Sequence, residues 1–281
     1  MAGAGNRTAE LLKKYNFPIQ KKYGQNFLTD DNILAGIVDA AGVTDRDTVL
    51  EIGPGLGALT ELLCKNAKNV IAVEIDRLLI PVLEDRLAGY DNITLINDDI
   101  LKVDLHSLLK DAGKIKVVAN LPYYITTPIV MELLERYDFI ESITIMVQKE
   151  VAQRMQEGPG SKSYGALSLA VQYYSEARYM FTVSRNCFLP KPDVDSAVIR
   201  LKLYDPDERP VKAADPDRMF AIIRAAFNQR RKTLANALLN AGDLHVCKED
   251  LLKLLKELGK SETIRGEALT LKEFAQISEA L

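Results

Sequence analysis

The sequence predicts an α/β protein with a mostly parallel sheet of seven strands, followed by a small helical domain. Through the first 150 residues, short runs rich in β-branched residues alternate with longer segments of helical spacing. Strands that alternate with helices form parallel sheets through right-handed crossovers. A glycine-rich turn follows the first of these strands directly, and the periodicity after residue 217 is helical. A chain of 281 residues is long enough for one large and one small domain.

Seven segments have the composition of strands, and only a proline-bearing loop separates the last two. The predicted strands cover residues 48–52, 70–75, 93–96, 116–119, 142–147, 178–183 and 195–203. Because no helix intervenes between the last two, we expect them to form an antiparallel pair at one end of the sheet.

Helices are predicted where apolar residues recur at intervals of three and four. The first covers residues 29–41, with Thr29 as its N-terminal cap. The others cover residues 56–65, 78–88, 164–174, 219–239, 248–258 and 271–281. A linker rich in Asp and Pro at residues 205–210 sets the predicted boundary between a first domain, 1–205, and a helical domain, 206–281. The first domain begins with a basic extension that includes Arg7, Lys21 and Lys22.

Composition excludes several classes of protein. Apolar residues make up 47% and charged residues 27% of the chain, and no run of 18 apolar residues occurs. The N-terminus carries no secretory signal pattern. Three widely spaced cysteines, Cys64, Cys187 and Cys247, form no metal-binding or disulfide pattern. With only His106 and His245 in the chain, a histidine triad or histidine metal site is not expected. A cytoplasmic location without membrane attachment follows from these features.

The glycine-rich turn GPGLG (residues 53–57) lies between a strand and a helix, an arrangement that cradles nucleotides. Glu74 lies at the end of the next strand, 21 residues after Gly53, at the spacing of an acid that binds ribose hydroxyls. Asp76 is interpreted as a first-turn helix residue. Asp99 follows the third strand, where a carboxylate can accept hydrogen bonds from an adenine amine. Both a nicotinamide-linked oxidoreductase and a nucleoside-based methyl donor fit these features.

The motif NLPY (residues 120–123) follows the fourth strand, where open α/β sheets bind their ligands. The Asn120 side-chain oxygen and the Leu121 carbonyl can accept both hydrogens of an exocyclic amine, while Pro122 stiffens the turn. Tyr123 offers a ring for base stacking. Catalysis would then rest on orientation and local electrostatics, which suits a chain with almost no histidine.

Three further motifs complete the pattern: GQNFL (24–28), NCFLP (186–190) and VDSAV (194–198). Together with EIGPGLG (51–57), EID (74–76) and NLPY, they resemble the rRNA adenine-N6 dimethyltransferases, most closely the bacterial small-subunit branch, over residues 21–271. The resemblance implies a Rossmann-like methyltransferase domain that uses S-adenosylmethionine. It also implies that the substrate is a pair of adjacent adenosines in a hairpin loop near the 3′ end of 16S rRNA in small-subunit (30S) particles.

The resemblance also implies roles for individual residues, without a metal. Those expected to line the cofactor site, with Glu51 near its methionine end, are Asn26, Leu28, Glu51, Gly53, Gly55, Glu74, Ile75, Asp99, Ile100 and Asn120. Asn120, Leu121 and Tyr123 would hold the target adenine, and Phe188 would close over it. Cys187 stands where relatives often carry a smaller residue, and we expect it to be a packed thiol.

Basic residues without acidic neighbours between positions 219 and 242 predict an RNA contact. The candidates are Arg224, Asn228, Arg230, Arg231 and Lys232. On one continuous helix, positions 224, 227, 228 and 231 would share a face. An ordinary solvated helix surface is the alternative interpretation.

Three other functions fit part of the pattern. An oxidoreductase would explain the glycine turn and Glu74 but not residues 120–123. A non-catalytic ribosome-assembly factor could keep the cofactor pocket, and a checkpoint role in small-subunit biogenesis is compatible with catalysis. A large-subunit (23S) rRNA dimethylase would share the pocket, although NQRRKT (228–233) is typical of the small-subunit type. The protein is expected to be a monomer.

Overall fold

The computed structural model describes residues 4–17, 20 and 24–281. The strands in these ranges are β1 (Phe27–Leu28), β2 (Thr48–Ile52), β3 (Asn69–Glu74), β4 (Ile93–Asn97), β5 (Ile115–Asn120), β6 (Ile140–Gln148), β7 (Ser175–Val183), β8 (Phe188–Leu189) and β9 (Ser196–Leu203). The helices are α1 (Ala4–Lys14), α2 (Asp31–Ala41), α3 (Ala58–Asn66), α4 (Ile80–Leu87), α5 (Leu105–Leu109), α6 (Thr126–Arg136), α7 (Lys149–Met155), α8 (Ala166–Tyr174), α9 (Pro216–Asn228), α10 (Leu234–Leu239), α11 (Lys248–Glu257) and α12 (Leu271–Ala280).

The main sheet has seven strands in the order β4-β3-β2-β5-β6-β9-β7, which confirms the predicted fold class. Strands β2 to β6 pair in parallel, and β9 runs antiparallel to β6. The two predicted loop-linked strands, β7 and β9, lie together at one end, as expected. Strand order reverses at β2, which pairs with β3 on one side and β5 on the other. In such sheets the ligand crevice lies beyond the carboxyl ends of the strands at this point.

Strand β2 is the centre of the core, because all five of its residues are buried. Val49 and Leu50 are completely inaccessible to solvent. Its neighbour in the chain, α2, begins one residue later than predicted: Asp30, not Thr29, is the cap. The Asp30 carboxylate accepts hydrogen bonds from the backbone N–H groups of Asn32 and Ile33. A carboxylate also interacts favourably with the helix dipole, which explains why it takes the cap position.

The chain divides into two compact units: residues 1–152 with 177–203, and residues 153–176 with 204–281. The sequence predicts a single domain boundary near residue 205, which places the segment 153–176 in the first domain. In the structure this segment instead belongs to the second unit, with the C-terminal helices. Tertiary contacts within the second unit explain this grouping. The Tyr164 hydroxyl donates to the Leu269 carbonyl at 2.9 Å, and the Tyr174 ring stacks on Phe220 at 5.4 Å.

The predicted helix over residues 219–239 is wrong in one respect: the structure breaks it into α9 and α10. Helix α9 ends at Asn228, and the Thr233 side chain caps α10 by accepting from the Asn236 N–H. The turn between them is held by a hydrogen bond from the Lys232 N–H to the Gln229 carbonyl. Helical spacing continues through the turn in the sequence, and a Thr that can cap a helix is the signal that marks the break.

Within the described ranges, no helix combines the length and apolar character needed to cross a membrane.

Candidate active site

A cavity of about 1170 Å³, including its solvent-open part, lies in the first unit at the carboxyl ends of β2, β3, β4 and β5. This is the crevice that the reversal of strand order predicts. Of the predicted site residues, those that line it are Asn26, Leu28, Glu51, Gly53, Gly55, Glu74, Ile75, Asp99, Ile100, Asn120, Leu121 and Tyr123. The structure therefore brings five separate segments of the chain together around one space.

The glycine turn forms one wall of this cavity. Gly53 and Gly55 have φ values of 69° and 59°, which residues with a side chain rarely adopt. A Cβ atom on Gly53 would meet nothing within 4 Å, so a ligand can approach the backbone closely there. The Arg86 guanidinium donates to the Leu56 carbonyl at 2.9 Å and pairs with Glu61 at 3.1 Å, which stabilises the turn from behind.

Glu74 is almost completely buried and is held by the backbone around it. Its carboxylate accepts from the Gly55 N–H at 3.1 Å and from the Asp76 N–H at 2.8 Å. Burial raises the pKa of Glu74 to about 7, although these hydrogen bonds oppose the effect. Each carboxylate oxygen has a second lone pair, so a fixed acceptor for ligand hydroxyls remains at the cavity wall.

Glu51 lies on β2 at the cavity wall and is only 1% exposed. Burial raises the pKa of Glu51 to about 8, and the charge of Glu74 adds to this shift. Its Oε2 atom has no hydrogen-bond partner among the residues that the structure describes. A buried carboxyl group without a partner is costly, and a bound cation or N–H donor would relieve that cost.

Asn120 ends β5 and projects an amide at the cavity wall. Its Nδ2 donates to the Asn26 carbonyl at 3.3 Å, which leaves Oδ1 as the atom that can accept from an amine. The Leu121 N–H donates to the Met146 carbonyl at 3.1 Å, so the backbone that follows β5 is fixed as well. The two acceptors that the sequence predicts for a target amine thus belong to consecutive residues, each of which is hydrogen-bonded to another part of the first unit.

Tyr123 is half-buried, and its hydroxyl is 2.7 Å from the Ser196 hydroxyl at the start of β9. Burial raises the pKa of Tyr123, so the phenol stays neutral at physiological pH. This bond holds the ring in place beside the cavity and gives Ser196, within the VDSAV motif, a structural role.

Phe188 does not lie among the described residues that line the cavity. It is buried in β8, where it pairs with Leu28 and packs in the cluster that includes Leu34 and Ile37. Leu28 itself lines the cavity, whereas Phe188, its partner on the neighbouring strand, does not. Cys187 packs against the same cluster, with its sulfur 3.8 Å from an Asp30 oxygen, which agrees with the packed-thiol interpretation.

Two residues, one beside the cavity lining and one in it, have roles that the sequence patterns do not indicate. Asp76 suits a helix start in the sequence, yet its Oδ2 accepts from the side chains of Gln20 and Gln25, both at 2.8 Å. It thereby ties the GQNFL motif to the end of β3. Tyr124 is 57% exposed at the cavity edge, and its ring lies 3.4 Å from where a Cβ atom of Gly24 would be. In the sequence, a second tyrosine directly after the NLPY motif is the feature that could have predicted an aromatic residue at the cavity edge.

The candidate RNA-contact residues in the second unit have different environments. Arg230 binds within that unit: it donates to the carbonyls of Lys162 at 2.6 Å and Tyr164 at 3.1 Å, and pairs with Glu267 at 3.2 Å. Arg231 and Lys232 are exposed in the turn after α9. Because the helix ends at Asn228, position 231 does not share its face, contrary to the prediction.

The remaining candidates are partly described. Arg224 and Asn228 are exposed on α9. In the N-terminal extension, Lys21, Lys22 and the Arg7 side chain lie outside the described residues. Lys14 is exposed and pairs with Asp85 at 2.6 Å. Among the described residues, no group of His, Cys, Asp and Glu could hold a metal ion.

The sheet order, the glycine turn and the acids after β3 and β4, combined with an Asn-x-Pro-aromatic turn after β5, define a Rossmann-like methyltransferase. The sequence profile described as "Ribosomal RNA adenine dimethylase" matches residues 16–270. This chain belongs to that family of enzymes.

Individual relatives agree with this assignment. The chain is 56% identical to "Ribosomal RNA small subunit methyltransferase A" of Lachnoclostridium phytofermentans, over 99% of this chain and 97% of that protein. The crystal structure of a dimethyladenosine transferase from Plasmodium falciparum is similar, with a TM-score of 0.73 and 28% identity over 89% of this chain and 95% of that one. The 23S rRNA methyltransferase ErmE follows with a TM-score of 0.66 and 27% identity, over 91% and 99%.

Proposed function

We propose that this protein uses S-adenosylmethionine to dimethylate the N6 amines of two adjacent adenosines in a hairpin loop near the 3′ end of 16S rRNA. The observation that carries the proposal is the hydrogen bond from the Asn120 side chain to the Asn26 carbonyl, which leaves Oδ1 as an acceptor for an amine at the cavity wall. Near-full-length similarity to a protein named as a small-subunit methyltransferase supports 16S rRNA, rather than 23S rRNA, as the substrate.

The cavity fits the proposed cofactor in three respects. Glu74 is a fixed, buried acceptor suited to ribose hydroxyls, and Asp99 lies at the cavity wall for the adenine amine. Open space over Gly53 permits close approach to the backbone. The unpartnered Oε2 of Glu51 suits the ammonium group of the methionine part. When bound, S-adenosylmethionine supplies a methyl group on a positively charged sulfur.

Orientation of the amine is the task of the chain's own residues. Asn120 Oδ1 and the Leu121 carbonyl would accept the two N6 hydrogens, so that the nitrogen lone pair points into the cavity. The amine needs no general base beforehand, because a methylated ammonium loses its proton readily. After the first methyl transfer only one N–H remains, so one of the acceptors must release its partner before the second transfer.

The adenine must leave its stack before it can reach this turn. The Tyr123 ring, held by Ser196, would provide a stacking surface for the flipped base. Tyr124, exposed at the cavity edge, is the aromatic residue that an incoming RNA strand would meet first. Phe188 would take part only if the segment of β1 and β8 rearranged around the bound base.

RNA recognition is assigned to both ends of the chain. Arg224, Asn228, Arg231 and Lys232 would contact phosphates and sugars from the second unit, together with the basic N-terminal extension. We further propose that the protein acts as a monomer in the cytoplasm on 30S particles, and that binding there gives it a checkpoint role in small-subunit biogenesis.

Single-turnover transfer of labelled methyl groups tests the proposed function. Small subunits from a strain that lacks this modification should be dimethylated at two adjacent adenosines, mapped by primer extension. Large subunits should accept no methyl group under the same conditions, and NAD should not bind in a titration that detects S-adenosylmethionine. Methylation of 23S rRNA with none on 16S rRNA would contradict the proposal.

A further inference from the structure

Helix α1 packs against the same unit that contains the cavity. Its residues Leu11 and Leu12, with Tyr15 just beyond, pack on an apolar cluster that includes Phe27 and Leu79. The Tyr15 hydroxyl donates to Asp85 at 2.7 Å, beside the ion pair from Lys14 described above. Phe27 and Leu79 themselves line the cavity. The helix is therefore anchored next to the site and is not a free terminal segment.

One polar residue lies on the apolar face of this helix. Thr8 precedes Leu11, Leu12 and Tyr15 by three, four and seven positions, so it shares their face. It is 0% exposed and lines the cavity. Its Oγ1 atom has no hydrogen-bond partner within the part of the chain that the structure describes. A buried hydroxyl normally has a partner, because burial without one is unfavourable.

We infer that Thr8 is a cofactor-binding residue, whose hydroxyl makes a hydrogen bond to S-adenosylmethionine in the cavity. This inference rests on the proposed function and adds a site residue from α1, upstream of every motif used above. The hydroxyl both donates and accepts, so it can serve any polar group of the cofactor that reaches it. Cofactor binding would then satisfy a buried atom that has no partner among the residues that the structure describes.

The variant Thr8→Val distinguishes a role of the Thr8 hydroxyl in cofactor binding from a role in the stability of the free protein. Valine has the shape of threonine without the hydroxyl. In the free protein it removes an unsatisfied group, so the denaturant midpoint should be unchanged or higher. In the complex it removes a hydrogen bond, so the Kd for S-adenosylmethionine, measured by calorimetry, should rise by about 3- to 10-fold. Thr8→Ser keeps the hydroxyl and should bind within about twofold of the parent.

The matched control is Thr144→Val. Thr144 in β6 is also 0% exposed, and its hydroxyl also has no partner among the described residues, but it does not line the cavity. Its replacement should leave the Kd unchanged. Thr8→Ala removes the same hydroxyl and serves as the binding test if the valine variant does not fold.

The outcomes separate this inference from the function on which it rests. Parental affinity in the variants without the hydroxyl, in a protein that binds S-adenosylmethionine, would overturn the role of Thr8 and leave the proposed function intact. Failure of the parent protein itself to bind S-adenosylmethionine would overturn both.

Discussion

The side chain of Asn120 donates a 3.3 Å hydrogen bond to the backbone carbonyl of Asn26, and this bond determines which amide atom is available to a substrate. The two residues are 94 positions apart in the chain. The GQNFL motif therefore orients the Asn120 side chain and also contributes residues to the cavity lining. Asp76 holds that motif in turn through Gln25, so the end of β3 supports the residue at the end of β5.

Replacement of Asn120 by Ala should lower the rate of methyl transfer by about 10²-fold or more, the effect of removing one oriented polar group. Binding of S-adenosylmethionine should fall much less, because most of the proposed cofactor contacts come from other residues. Single-turnover methyl transfer and calorimetric binding measure the two effects separately. Asn66→Ala, which removes an exposed amide that donates to the Leu62 carbonyl at the end of α3, is the control and should retain the parental rate. A parental rate in Asn120→Ala would refute the proposed mechanism.

Two substitutions of Tyr123 test the contributions of its aromatic ring and its hydroxyl separately. Tyr123→Phe loses the bond to Ser196 but keeps the stacking surface, so methyl transfer should stay within about tenfold of the parent. Tyr123→Ala should lose stacking worth roughly 1–3 kcal/mol in substrate affinity. Titration of the rate with subunit concentration distinguishes the two variants. Equal losses in both would mean that the hydroxyl, and not the ring, is the important group.

Much of the fold is predictable from the sequence because local patterns and tertiary structure agree. The strand 48–52 is predicted to the residue, since a buried β-branched run directly before a glycine turn permits few alternatives. The break after Asn228 is not predictable from periodicity, because helical spacing continues through the turn, which also contains Arg230 bonded to carbonyls more than 60 positions away. Hydrogen bonds between residues so far apart in the chain cannot be recognised from the spacing of apolar residues.

The site shows the same division. Residues at the carboxyl ends of parallel strands lie at the same edge of the sheet. The sequence is therefore sufficient to predict that Glu51, Glu74, Asp99 and Asn120 lie close together. The role of Asp76 is hidden because an acid at a helix start has an adequate local explanation, and its bonds to Gln20 and Gln25 depend on the path of the N-terminal segment.

Stability should depend on pH through Glu51. Burial raises the pKa of this carboxyl group from 4.5 to about 8, so between these values the folded protein keeps a proton that the unfolded chain has lost. The free energy of unfolding should therefore fall as pH rises across this window, by up to about 1.4 kcal/mol per pH unit for this group. Glu51→Gln should make the profile less steep between pH 5 and 8, as measured by urea unfolding at a series of pH values; Glu74, whose pKa burial raises to about 7, should keep part of the slope below pH 7.

Glu61→Gln is the control for this profile. Although burial opposes the effect, hydrogen bonds from Lys65 and Arg86 lower the pKa of Glu61, so this group is ionised in both states above about pH 5. Its replacement should lower stability evenly across the window, without changing the slope. A Glu51→Gln profile as steep as that of the parent would show that the buried carboxyl group is not responsible.

The basic residues around the turn after α9 should separate into two functional groups. Arg231 and Lys232 are exposed, so a double alanine variant should bind small subunits more weakly while keeping the parental unfolding midpoint. The slope of its log affinity against log salt concentration should decrease by about 0.7–0.9 for each phosphate that the variant no longer neutralises.

Arg230→Ala should instead lower the unfolding midpoint, because the Arg230 guanidinium donates to the Lys162 and Tyr164 carbonyls and pairs with Glu267. Filter binding at several salt concentrations and urea unfolding, applied to both variants, measure the two effects. If the double variant keeps the parental affinity and slope, the turn is an ordinary solvated surface, and RNA contacts must be sought on Arg224 and the N-terminal extension.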